Sequence, residues 1–263
     1  MRLAATGLEI DGNGLLHRLS GFADSVLRGV GQVMLQNNSY AGLLFIIGIG
    51  WNSLLFAVAV LVGTAVSTLT AMQLGADRAL VRSGLFGFNG GLVAIALLYF
   101  LQPDALTCAC IILASACSTI VMAAMLAAFE VWRLPVLTAP FVLTSLCFFL
   151  ATARLGRLES TGLLPTAGLP RAAAVEGVVT AATVWQGVFN GTAQVFFQGN
   201  VLTGMLFAAG LLVASRRAFV AALAGSLAGL LVAWGMGAAE PAIRAGAFGF
   251  NSVLAAIALA GVF

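Results

Sequence analysis

Long apolar runs alternate along the chain with short connecting segments, and these segments carry most of the charged residues. Apolar runs of this length, without strict apolar–polar alternation, predict helices rather than strands. In the first half they predict helices over 14–35, 41–62, 84–101, 105–128 and 136–153, with a shorter element over 64–75. In the second half they predict helices over 176–197, 203–214, 218–235 and 246–263. Several are long enough to cross a bilayer, so the pattern favours an all-α integral membrane protein.

Two apolar strings recur along the chain at one constant spacing. GLFGFNGGLVAIAL (84–97) returns as GAFGFNSVLAAIAL (246–259), with 10 of 14 positions identical at an offset of 162 residues. QVMLQNNSYAGLLFIIG (32–48) returns at the same offset as QVFFQGNVLTGMLFAAG (194–210), with 8 of 17 positions identical. Two separate matches that share one ungapped offset indicate a tandem duplication.

The duplication divides the chain into four segments. We expect an N-terminal tail over 1–13, a first repeat over 14–155, a linker over 156–172 and a second repeat over 173–263. The counterpart of Thr138 would fall beyond Phe263, so we expect an incomplete second repeat and a C-terminally truncated fragment. A repeat that crosses the membrane an odd number of times, about five here, would make the two copies inverted.

The composition supports a membrane location and excludes several function classes. Hydrophobic residues make up 61% of the chain and charged residues 8%, and the mean hydropathy is +1.08. Soluble domains carry roughly 25% charged residues. The net charge of +3 is too small and too scattered for a nucleic-acid surface. The four cysteines lack histidine or acidic partners at useful spacing, and no acid–base pair is apparent, so we expect no metal, no cofactor and no enzyme activity.

Polar side chains recur inside the apolar runs at the duplicated positions. They are amides: Gln32 and Asn89, with their copies Gln194 and Asn251. In lipid such groups are tolerated where they face protein or a water-lined path. Because amides do not titrate, a path lined by them suits a neutral polar solute better than an ion. The same residues also fit a purely structural role, in which asparagine joins helices and nearby glycines allow close packing.

Apolar residues near these amides predict two flat binding slots. Phe88 and Leu92 are four residues apart and share one helix face, as do their copies Phe250 and Leu254. A flat slot admits a planar molecule and obstructs bulky ones. The neighbouring element contributes a glutamine and an apolar residue that are three positions apart. These are Gln32 and Leu35 in one copy, and Gln194 and Phe197 in the other.

Three motifs make the chain resemble the urea transporter family. They are GQVMLQNN (31–38) with AQVFFQGN (193–200), GLFGFN (84–89) with GAFGFN (246–251), and LPVLTAPFVL (134–143). The resemblance implies a homotrimer of helical subunits in a bacterial inner membrane. Each subunit would enclose one pore between two inverted repeats and pass urea down its gradient.

The resemblance also implies roles for individual residues. One slot would consist of Gln32, Leu35, Phe88 and Leu92, and the other of Gln194, Phe197, Phe250 and Leu254. Thr138 would supply a hydroxyl between the slots, while Asn89 and Asn251 would hold the half-helices. Since Leu35 stands where the second slot has Phe197, we expect the first slot to bind more loosely.

Three other functions remain open at this point. Other small neutral amides share the planar group of urea. An ammonia channel would need paired pore histidines, and this chain has a single histidine, His17. A truncated fragment that conducts nothing is the third possibility.

Overall fold

The structure, a computed structural model, describes residues 14–152, 154, 156–162 and 177–262. The predicted tail 1–13 and residues 163–172 of the predicted linker therefore lie outside the described residues. The helices of the first half are α1 (Leu15–Gln32), α2 (Ser39–Asn52), α3 (Leu54–Gln73), α4 (Arg78–Arg82), α5 (Gly87–Phe100), α6 (Ala105–Phe129) and α7 (Ala139–Thr152). Those of the second half are α8 (Ala181–Ala193), α9 (Val201–Ala214), α10 (Arg216–Gly235), α11 (Glu240–Arg244) and α12 (Phe250–Val262). The expected all-α fold is confirmed.

The single helix predicted over 41–62 is wrong, because the chain breaks at Ser53. Ser53 has an extended backbone (φ −155°), and its hydroxyl accepts a hydrogen bond from the Phe56 N–H. A serine side chain that bonds the backbone in this way ends one helix and caps the next. The predicted short element 64–75 is therefore the C-terminal part of α3, and Ser215 makes the same break between α9 and α10.

Three helical segments are long and apolar enough to cross a membrane: Leu54–Gln73, Ala105–Trp132 and Arg216–Gly235. A fourth candidate is the α8–α9 pair, which bends by 75° at its break. Shorter apolar helices, including α2, α5, α7 and α12, pack among these spans. The chain is accordingly a multi-pass integral membrane protein.

Small and hydroxylated residues bring α3, α5 and α6 into close contact. A Cβ on Gly63 would overlap the Gly90 carbonyl oxygen and Ala94 of α5. Ser67 of α3 accepts a hydrogen bond from the Thr119 hydroxyl of α6 at 2.8 Å. In a bilayer, where apolar burial between helices adds little, such contacts hold helices together.

The two halves meet where α2 packs antiparallel to α9. The rings of Phe45 and Phe207 lie 5.1 Å apart, and these residues occupy the same place in the two repeats. Thr203, near the start of α9, donates a hydrogen bond at 2.8 Å to the carbonyl of Gly48, near the end of α2. Phe196 adds a third ring, 6.1 Å from Phe45 and 5.3 Å from Phe207. Residues at equivalent positions of the two duplicated strings therefore touch each other.

We predict that Gly63→Val destabilises the protein by about 1–3 kcal/mol, because the new side chain must force α3 away from α5. Thermal unfolding in detergent, followed by tryptophan fluorescence, measures the effect. Gly235→Val, at the end of α10, is the matched control because nothing lies within 4 Å of a Cβ there. An equal loss of stability in the two variants would contradict the close α3–α5 contact.

Candidate functional site

The predicted slot residues Leu35 and Phe197 lie at two matching breaks in the chain. We call residues 33–38, between α1 and α2, the first break and residues 194–200, between α8 and α9, the second break. Leu35 has φ 58° and Phe197 has φ 57°, a left-handed conformation that costs a non-glycine residue about 1–2 kcal/mol. The sequence predicted one helix over 14–35. Its last part is wrong, because α1 ends at Gln32 and Leu35 lies beyond the helix.

In each break, a glutamine side chain forms a hydrogen bond with the backbone carbonyl two residues before it. The Gln36 side chain donates to the Met34 carbonyl at 2.9 Å, and the Gln198 side chain donates to the Phe196 carbonyl at 2.8 Å. Asn52 also donates to the Gln198 side-chain oxygen at 2.7 Å, which ties the second break to the first repeat. Both glutamines are at least nine-tenths buried. They satisfy backbone groups that a helix end would otherwise leave without partners.

Each break also leaves carbonyl oxygens available. Within the described part of the chain, the carbonyls of Val33 and Leu35 accept no hydrogen bond, and neither do those of Val195 and Phe197. The C-terminal end of a helix carries partial negative charge. These oxygens can therefore accept hydrogen bonds from a solute that carries N–H groups.

Gln32 and Gln194 join the breaks to the turns before the Gly-Phe-Asn motifs. The Gln32 amide donates to the Ser83 carbonyl at 3.0 Å, and the Gln194 amide donates to the Ala245 carbonyl at 3.0 Å. Both glutamines are partly exposed. Each amide nitrogen thus has a backbone partner, while the side-chain oxygen has none among the described residues and can accept from a solute.

The two Gly-Phe-Asn motifs differ in burial. Phe88 is 3% exposed and Asn89 is fully buried, whereas Phe250 is 37% exposed and Asn251 is also exposed. Phe88 and Leu92 belong to one apolar cluster, and Leu35, Phe197 and Leu254 pack against that cluster. The cluster also includes Val136, with Phe141 packed against it, so the segment before and within α7 covers the first motif.

Asn89 holds the segment that contains Thr138. Its side-chain nitrogen donates to the Leu137 carbonyl at 3.3 Å, and its oxygen accepts from the Phe141 N–H at 3.1 Å. Leu137 has a left-handed backbone (φ 49°), and the half-buried Thr138 follows it immediately. We call these two hydrogen bonds the Asn89 clamp. They fix the backbone on both sides of Thr138, and one of them satisfies an N–H in the first turn of α7.

The aromatic neighbours of Phe197 come from the first repeat, which the sequence did not predict. Its ring lies 5.4 Å from Tyr99 and 6.1 Å from Phe100, at the end of α5. Phe250 is not among its ring contacts in the described structure. Position 261, the counterpart of Tyr99, is glycine. A cavity of about 490 Å³ is lined by this glycine and by Leu35. Because Tyr99 has no copy, the repeat gave no signal for it.

Comparison with known proteins finds sequences similar to this chain. A family model described as urea transporter matches residues 23–263. Urea transporter 1 of Rattus norvegicus is 32% identical over 254 residues, and that of Mus musculus is 31% identical over the same length. Urea transporter 1 of Ovis aries is 32% identical. Each alignment covers 92% of this chain and 64% of the relative, so the chain spans less than two thirds of the curated relatives it matches.

We predict that Asn89→Leu destabilises the protein, because the Leu137 carbonyl and the Phe141 N–H both lose their partner. A buried group left unsatisfied costs about 1–3 kcal/mol, and the cost is smaller at Leu137, which is exposed. Denaturant unfolding in detergent measures the change. Asn251→Leu is the matched control at the exposed copy and should stay within about 0.5 kcal/mol of the parent. Similar effects in both variants would show that the clamp contributes nothing specific.

Proposed function

We propose, because this chain belongs to the urea transporter family, that it passes urea down its gradient across the membrane. The observation that carries the proposal is the pair of matching breaks. Each places free carbonyl oxygens next to a glutamine and an apolar residue in left-handed conformation. Urea is planar and neutral, and its four N–H groups need acceptors when it leaves water.

The two breaks provide those acceptors in an apolar setting. Moving an amide out of water without replacement hydrogen bonds costs about 1–3 kcal/mol on mutational scales. Carbonyls at the helix ends offset that cost, while Phe88, Leu92 and their copies face the flat sides of the molecule. Binding stays weak enough for release, as a conducting filter requires.

We propose that the two slots consist of the residues that the sequence motifs indicated. Gln32, Leu35, Phe88 and Leu92 form the first, and Gln194, Phe197, Phe250 and Leu254 form the second. Thr138 lies between them, in the segment that Asn89 clamps. For the second slot we add Tyr99, since its ring lies against that of Phe197.

We further propose that the repeats 14–155 and 173–263 are inverted in the membrane. The antiparallel α2–α9 contact supports this arrangement, because equivalent residues meet there with opposite chain directions. A single pore would then run between the repeats, with one slot near each membrane face. A homotrimer with one pore per subunit, in a bacterial inner membrane, rests on the family resemblance alone.

Stopped-flow light scattering on proteoliposomes that contain this 263-residue chain tests the function. We expect re-equilibration after a urea gradient to be much faster than in empty liposomes. After a glycerol gradient it should match empty liposomes, because a tetrahedral triol does not fit a flat slot. Urea flux no faster than in empty liposomes would contradict the proposal for this chain.

The first slot offers a graded test. Leu35→Phe should lower the half-saturating urea concentration about two- to fivefold, because an aromatic wall adds roughly 0.5–1 kcal/mol of contact. The backbone tolerates the change, since Phe197 adopts the same conformation and the cavity beside Leu35 has room for a ring. The reverse change, Phe197→Leu, should raise the half-saturating concentration. Saturation curves unchanged in both variants would place these residues away from the urea path.

A further inference from the structure

A cavity of about 710 Å³, lined by both polar and apolar residues, opens beside the second break. Its wall includes Ala245, whose carbonyl binds the Gln194 amide, so the cavity lies at the mouth of the proposed second slot. We call it the second vestibule. Its polar and aromatic lining comes from α2, α8, the start of α9 and α11: Trp51, Gln186, Asn190, Asn200, Glu240 and Arg244.

Glu240 is the charged centre of the second vestibule. It is 7% exposed, and its Oε1 accepts from the Thr183 hydroxyl at 2.6 Å and from Arg244 Nε at 2.8 Å. The hydrogen bond from Thr183, together with those of Arg244, holds the pKa of Glu240 below its usual range, so the side chain is a carboxylate at neutral pH. Among the described residues nothing bonds its Oε2, and Gln186 has no hydrogen-bond partner either.

The matching positions in the first repeat are occupied differently. Arg28 stands where the second repeat has Asn190, Asp24 where it has Gln186, and Asn37 where it has Gly199. The Arg28 guanidinium donates to Asp24 and to Asn37, both at 2.7 Å, and the arginine is 8% exposed. Its long side chain therefore bridges the space that the shorter Asn190 leaves open in the second repeat.

We propose that the second vestibule is an additional binding site for urea, at one mouth of the path only. This inference rests on the proposed function. The free carboxylate oxygen of Glu240 accepts a urea N–H in a charge-assisted bond, and these are about twice as strong as neutral ones. The Gln186 amide supplies a further donor and acceptor, and the Trp51 side chain lines the same cavity. The site raises the local concentration of urea at the second slot without lying in the constriction.

The test transplants the arrangement of the first repeat into the second. The triple variant Q186D/N190R/G199N rebuilds the Asp24–Arg28–Asn37 set, and a Cβ at position 199 meets only the Gln194 side chain, at 3.6 Å. We expect the half-saturating urea concentration for flux into proteoliposomes to rise about three- to tenfold. The maximal flux should stay within about twofold of the parent, because none of the proposed slot residues is replaced.

A single substitution covers the case in which the triple variant fails to fold. Gln186→Leu removes an amide that has no partner among the described residues, and it should raise the half-saturating concentration in the same direction. Ala182→Val, one turn earlier on α8 and outside the cavity lining, is the matched control and should behave as the parent.

The outcomes separate this inference from the proposed function. If the parent chain passes no urea, the proposed function fails. If the parent conducts but Gln186→Leu and the triple variant both keep its saturation curve, the vestibule site is wrong. An equal loss of flux at all urea concentrations in both Gln186→Leu and the triple variant would mean that these positions act on the conducting step, and that result would overturn a recruiting role.

Discussion

The contact between Phe45 and Phe207 joins the two halves of the chain and positions the segments on which the proposed function rests. The two rings lie 5.1 Å apart where α2 and α9 cross, and Phe196 joins them from the second break. Because α2 and α9 begin directly after the two breaks, this junction sets the distance between the breaks and their relative direction. The Asn52–Gln198 hydrogen bond reinforces it from the C-terminal end of α2. A change that separated these rings would alter both proposed slots together.

A helix that ends within an apolar protein must find partners for its terminal backbone groups. The chain meets this requirement with side chains placed at the same positions in both repeats. Gln36 and Gln198 bond carbonyls at the breaks, and Asn38 and Asn200 cap the helices that follow. The caps satisfy the donors of α2 and α9 almost completely. The carbonyls of the breaks are satisfied only in part, and those left over are the groups that suit a solute rich in N–H donors.

The sequence predicted the helical membrane fold because apolar length and charge placement are local properties of the chain. It predicted the duplicated amides because copies at one offset stand out in apolar sequence. It did not predict the break at Ser53, since a single hydroxyl inside an apolar run is common in membrane helices and gives no stop signal. Nor did it predict Tyr99 or the vestibule, because both depend on contacts between segments far apart in sequence. The sequence also did not predict that Asn89 is buried and Asn251 exposed, because the two motifs have nearly the same sequence.

If the two repeats are inverted, as proposed, one mouth of the urea path lies at each membrane face. Ala79 on α4 and Pro241 on α11 are exposed and occupy the same place in the two repeats, which makes them suitable reporters. The measurement introduces Ala79→Cys or Pro241→Cys after the four native cysteines have been replaced by alanine. A membrane-impermeant maleimide is then applied to spheroplasts and to inverted vesicles. We expect each reporter to be labelled in only one of the two preparations, and the two reporters to be labelled in different ones. Labelling of both from the same face would contradict inverted repeats and the pore built on them.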